Sequence, residues 1–121
     1  MKSDKDTTLE EAKKVIAEFI TERDWDQYHH PKEVAISLNV EAGELLEIFQ
    51  WTRASREQIL ADDELMEEIR DEVADVYGYL LDFASRLDID ITQAYLKKMG
   101  KNRAKYPIHK SKGNHIKYTK L

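Results

Sequence analysis

Residues 67–83, EEIRDEVADVYGYLLDF, decide how this chain reads. On a helix of 3.6 residues per turn, Ile69, Val76, Tyr79 and Phe83 share one face with Leu65 just upstream, and Glu72 and Asp75 fall on that same face. Residues 39–51, NVEAGELLEIFQW, repeat the arrangement: Glu41 sits in the middle of the stripe carrying Val34, Leu38, Leu45 and Ile48, with Glu44 beside it. Unpaired carboxylates on an apolar face are strongly disfavoured. Two such acid pairs stay ionised together only beside cations or a deep water-filled cleft.

Working outward, the spacing predicts a first helix over residues 8–22. Thr7 and Glu10 are in place for a capping box, and Leu9, Ala12, Ile16, Phe19 and Ile20 form one stripe. RDWDQYHHPK (23–32) breaks the pattern, and Pro31 suits the first turn of a second helix spanning 32–50, closed by Trp51. TRASREQILADD (52–63) reads as a connection with a short helical turn before a long third helix over 63–86. Asp90 offers a cap for a fourth helix over 91–103, stopped by Tyr106 and Pro107. IHKSKGNHIKYTKL (108–121) has no apolar period and reads as an irregular basic tail. With no strand pattern of useful length, the expected class is all-α, a four-helix bundle-like arrangement.

The chain of 121 residues has no internal repeat and is expected to form a single domain, with residues 7–106 as helical core and 107–121 as tail. A core of that size is modest, so self-association is expected. Charged residues make up 36% and hydrophobic ones 41%, which excludes a disordered chain, and no transmembrane candidate is present. The start, MKSDKDTTLEEAKK, lacks the apolar segment of a secretory signal, and cysteine is absent, so a cytoplasmic location is expected. The net charge of −5 hides an asymmetry. Every acid lies at or before Asp90, whereas residues 91–121 carry only cations, so that the acidic body is followed by a segment suited to an anionic ligand or to neutralising the body.

A lone E-x-x-E on a helix is weak, because such pairs are common on solvated faces. Here both pairs lie on apolar faces of helices joined by a connection short enough for antiparallel packing, so four carboxylates can ring one pocket. Oxygen-only ligands suit a hard cation, Mg²⁺ or Mn²⁺, and Mg²⁺ favours substrate phosphates, which points to a nucleotide polyphosphate. A di-iron bundle needs Glu-x-x-His on two helices, and no histidine here has a glutamate three residues before it.

With those residues on the page, the chain resembles the MazG-like all-α nucleoside triphosphate pyrophosphohydrolases, most closely the dCTP pyrophosphatase-like branch. Glu41, Glu44, Glu72 and Asp75 stand for the family's E-x-x-E and E-x-x-D. RDWDQYHHPK, EAGELLEIFQW, EVADVYGYLLDFA and KKMGKNRAKYP also resemble segments of that branch. The resemblance implies a Mg²⁺-dependent enzyme, with Mn²⁺ as substitute, that cleaves a (deoxy)nucleoside triphosphate between its α and β phosphates into monophosphate and pyrophosphate. It implies a helical homo-oligomer, a tetramer built from two dimers or a dimer. All four acids are then metal ligands and catalytic residues, with the water-orienting base open among them, Glu47 and Glu68. Lys98, Asn102, Arg103 and Lys105 would contact phosphates or sugar, as solvated helix-end residues otherwise. Trp25 and Trp51 would enclose the base, and Tyr79 would pack on the sugar; each is otherwise core or interface. Ile16 departs from the branch, whose members carry a histidine facing the base. His29 and His30 are the remaining candidates for a polar base contact, or else cap the next helix.

The expected function is therefore removal of unwanted nucleoside triphosphates, with dCTP-like pyrimidines slightly favoured. The alternative is an inert nucleotide or metal sensor on the same scaffold. A nucleic-acid-binding bundle ranks below both, because the basic tail lacks interleaved aromatics apart from Tyr118.

Overall fold

Thr8 starts the first helix, α1 (Leu9–Glu22), in a computed structural model that describes all 121 residues. The Thr8 hydroxyl accepts the Glu11 N–H at 3.1 Å and the Glu11 carboxylate accepts the Thr8 N–H at 3.4 Å, a capping box. The box thus lies one residue beyond the expected Thr7–Glu10 pair. The extended backbone of Thr8 aims its hydroxyl into the helix, while the Thr7 hydroxyl turns back to Asp6. The other end is closed by a left-handed residue, Asp24 (φ 55°). Its N–H reaches the Thr21 carbonyl at 3.1 Å, and the Trp25 N–H reaches that of Ile20 at 3.0 Å, the paired bonds of a Schellman stop. The motif swings Trp25 back onto Phe19, ring centroids 5.7 Å apart, edge to face.

Helix α2 (Pro31–Phe49) begins on Pro31, one residue before the expected start, since proline's absent N–H costs nothing at a first position. The expected helical turn is α3 (Arg56–Leu60), capped by Ser55 on Gln58. Helix α4 (Asp63–Arg86) keeps its expected limits, with Asp62 accepting the Leu65 N–H at 3.0 Å. Within the unit Met1–Asp88, α4 packs chiefly on α2 and also on α1 and α3. Only Ile20, Val34, Leu81 and Ala84 are buried apolar residues. Among them sits Asp82, 4% exposed. Its two oxygens take His29 Nδ1 at 2.9 Å and Arg86 Nε at 3.0 Å, and Arg86 Nη2 reaches Asp26 at 3.0 Å. This chain of charges fastens the 3₁₀ turn Asp26–Tyr28 to α4.

The second unit, Ile89–Leu121, is described by itself. Asp90 caps α5 (Ile91–Lys105) through the Gln93 N–H at 2.8 Å, and the helix runs two residues past the expected Arg103. The expected irregular tail is corrected: α6 (Ile108–Ser111) follows Pro107, and Tyr118–Lys120 make a 3₁₀ turn. Tyr118 packs edge-on against Tyr106 at 5.9 Å, with the Lys105 ammonium 4.8 Å above its ring. Segments this short leave no periodic signature. The fold is all-α without strands, and no helix is long and apolar enough to cross a membrane.

Two expectations for stability follow, each checked by urea denaturation at fixed protein concentration. Ile20→Ala should cost about 2–5 kcal/mol and Thr8→Ala only about 1 kcal/mol; equal costs would place the core elsewhere. Asp82→Ala, stranding His29 and Arg86, should cost about 2–3 kcal/mol, and an unchanged midpoint would show that the charge chain contributes nothing.

Candidate active site

The α2–α4 contact brings the acids together as the two stripes require. Carboxylate oxygens of Glu41, Glu72 and Asp75 lie within 4.8 Å of one another. Glu41 and Glu72 are half-buried and Asp75 is exposed at the mouth. Glu44, also exposed, presses its carboxylate on Glu41 and Glu72. Burial first, then proton sharing and repulsion with Glu44, then repulsion by Asp75 and Glu72, lift Glu41 from 4.5 to about 7. Glu72 is raised as well, by burial first and then by Glu44 and Asp75.

These residues fit a divalent cation by their own chemistry. The Oε2 atoms of Glu41 and Glu72 are buried without a hydrogen-bond partner, although buried polar atoms are almost always satisfied. Two orphaned oxygens inside a cluster of hard donors, with no histidine or cysteine among them, match a Mg²⁺- or Mn²⁺-type ion. Glu47 and Glu68 lie outside the three-acid cluster and are exposed.

Beside the acids opens a cavity of about 650 Å³, with Glu41 and Asp75 on its wall. Helix α1 contributes Val15, Ile16 and Phe19, the Schellman stop contributes Trp25, and α4 contributes Tyr77, Gly78 and Tyr79. Trp25, Tyr79 and Ile16 therefore stand where the sequence places them, beside the acid cluster. Trp51 does not line this cavity and is 90% exposed in the chain. Lys98 and Arg103 are exposed on α5, and Asn102 is half-buried with its amide 3.8 Å from Met99 Sδ. His29 Nδ1 is bonded to Asp82 at 2.9 Å, which leaves Nε2 as its other polar atom. His30 holds the N-cap position of α2 without a side-chain cap bond.

Sequence reasoning missed Asp82. The signal was present: an acid inside the apolar run YLLDFA with Arg86 four residues on, the spacing at which an acid and a base on one helix meet.

Comparison with known proteins agrees with the geometry. The model of the MazG-like family matches residues 36–121. A dCTP pyrophosphatase 1 of Mus musculus is 40% identical over 115 residues, and that of Homo sapiens 38% over 123; each alignment covers 94% of this chain and 68% of the relative. The chain thus spans about two thirds of the length of these curated relatives. Among solved structures, a pyrophosphatase from Archaeoglobus fulgidus superposes with a TM-score of 0.74 at 42% identity, covering 82% of this chain and 92% of the other. With a family model matched over most of its length and relatives of this similarity, the chain belongs to the MazG-like family.

Proposed function

We propose that this protein is a nucleotide pyrophosphohydrolase that cleaves (deoxy)nucleoside triphosphates between the α and β phosphates, releasing monophosphate and pyrophosphate. The coarse activity is supported by relatives named as pyrophosphatases on two independent comparisons. The observation that carries the finer reading is the acid cluster beside an aromatic cavity, a place for a charged phosphate chain next to one for a flat base.

Glu41, Glu44, Glu72 and Asp75 would hold Mg²⁺ or Mn²⁺. Such an ion would neutralise triphosphate charge and lower the pKa of a water. The chain's own part is placement. The buried carboxylates keep their oxygens free for ligation, while the Phe19–Trp25 pair and Tyr79 give the nucleoside an apolar seat that excludes bulk water. Orientation of the attacking water falls to one of the four acids, Glu41 combining the raised pKa with a place on the cavity wall. Lys98, Asn102 and Arg103 are assigned to phosphate or sugar, Trp51 to enclosing the base, and dCTP-like pyrimidines are slightly favoured, in keeping with the relatives' names. The role is clearance of unwanted nucleotides from a cytoplasmic pool.

The active form is a homo-oligomer, a tetramer of two dimers or a dimer. Val15, Ile36, Val40, Leu46, Leu96 and Ile108 are all more than half exposed, and four buried apolar residues are few against the entropy of ordering the chain.

Glu41→Gln and Asp75→Asn should each lower pyrophosphate release from dNTPs by at least about 100-fold while helical content stays unchanged. Release assayed with Mg²⁺ and with chelator reads this, and full activity in either variant would reject the assigned site. A second expectation concerns pH. Glu41 titrates higher folded than unfolded, so the metal-free fold has this contribution in full below pH 4.5 and loses it as pH climbs through about 7. Ligation needs the ionised form, so Mn²⁺ affinity should fall as pH drops below about 7, and the ion should raise the melting temperature more at pH 8 than at pH 6. A pH-independent Mn²⁺ shift would contradict it.

A further inference from the structure

Trp25 lines the cavity, yet the wall it makes with Phe19 is not held by burial: the two residues are 41% and 43% exposed. A ring that open to solvent is placed by the backbone beneath it. On its upstream side that backbone is fixed, because the Trp25 N–H donates to the carbonyl of buried Ile20 at 3.0 Å. Downstream, the Trp25 carbonyl accepts the Tyr28 N–H at 2.9 Å, which joins Trp25 to the 3₁₀ turn Asp26–Tyr28. Where the indole sits therefore depends on where that turn is held.

Two side-chain bonds from α4 bracket the turn. At its start Asp26 Oδ1 accepts a bond from Arg86 Nη2 at 3.0 Å, and just past its end His29 Nδ1 meets Asp82 Oδ2 at 2.9 Å. Asp26 Oδ2 also accepts the Thr21 hydroxyl of α1 at 3.4 Å. Asp26 is exposed, and an exposed ion pair with a freely moving arginine fixes little. Arg86 does not move freely: its Nε donates to Asp82 Oδ1 at 3.0 Å, and Asp82 is buried. The buried carboxylate orients the guanidinium before it reaches Asp26, which lowers the entropy cost of the outer bond. None of Asp26, His29, Asp82 and Arg86 lines the cavity or belongs to the acid cluster.

We infer that Arg86, oriented by Asp82, is a positioning residue for nucleotide recognition: through Asp26 it holds the turn that follows Trp25 and so keeps the indole on the cavity wall. This deepens the pyrophosphohydrolase reading and rests on it. With the outer bond in place the nucleoside meets a wall that is already set. Without it the wall has to be ordered each time a nucleotide binds, and that cost falls on affinity. The acids on α2 and α4 keep their places, so the loss appears in KM and not in kcat.

The test measures kcat and KM for pyrophosphate release, with the full chain and Mg²⁺ present, from whichever of the four dNTPs the wild type cleaves fastest. Wild type is compared with Asp26→Ala, Arg86→Gln, Trp25→Ala and the double variant Asp26→Ala/Trp25→Ala, and each protein's melting temperature is recorded. Asp26→Ala leaves Asp82 with both of its partners, so it should melt close to wild type while KM rises roughly tenfold and kcat stays within about twofold. Arg86→Gln, which spares the Thr21 bond, should raise KM comparably and melt lower, because Asp82 then keeps only His29. Trp25→Ala should raise KM as well, and adding Asp26→Ala to it should change KM by less than about twofold, since no indole is left to position. A wild-type KM in any of the three single variants, or an Asp26→Ala effect that persists in full without Trp25, overturns the inference while leaving the enzyme reading intact. So does a loss confined to kcat and melting temperature, which would make the network purely structural. No pyrophosphate from any of the four nucleotides with wild type overturns the enzyme reading itself, and this inference with it.

Discussion

Mutual repulsion among four carboxylates at the α2–α4 contact is the constraint on which the rest of this structure depends. The two helices could pack more favourably with leucine at positions 41 and 72, yet they carry glutamates whose inner oxygens have no partner. Burial and crowding hold Glu41 near 7, so close to neutrality the apo cluster is poised between holding a proton and holding a metal. The surroundings make that poise useful. Aromatic and aliphatic side chains from α1 and α4 keep the adjoining cavity apolar, which strengthens any charge interaction formed at its acid end.

Much of this was legible from spacing. The acids on apolar stripes located the cluster, and Asp90 and Pro31 marked helix starts because capping and proline preferences act within a few residues and need no tertiary knowledge. What spacing could not reveal depended on contacts across long loops. The bond of His29 Nδ1 to Asp82, 53 residues away, has no local signal in the sequence. Thr7 and Thr8 both fit a capping box by type, and only the backbone angles choose Thr8. The helical turn at 108–111 is too short for any period to register.

The aromatic wall illustrates how a backbone choice becomes a binding surface. A left-handed Asp24 is less easily accommodated than glycine would be, although Asp is among the residues that tolerate that region. Its reward is a chain reversal that lays Trp25 on Phe19 one residue later, turning the end of α1 into one side of the cavity. The neighbouring turn is then secured by Arg86 gripping Asp26. The wall and the acids therefore share α4 as their common support, and loosening that helix would disturb both together.

That shared support sets an order of events while the chain is being made. Asp26 and Arg86 are 60 residues apart, and the acids of α2 precede those of α4 by about half that stretch. A growing chain that has only just produced α2 therefore possesses neither a complete acid ring nor the ion pair that secures the turn beside Trp25. The α2 acids are therefore made before their partners on α4, and the acid ring closes only once the chain has passed Asp75.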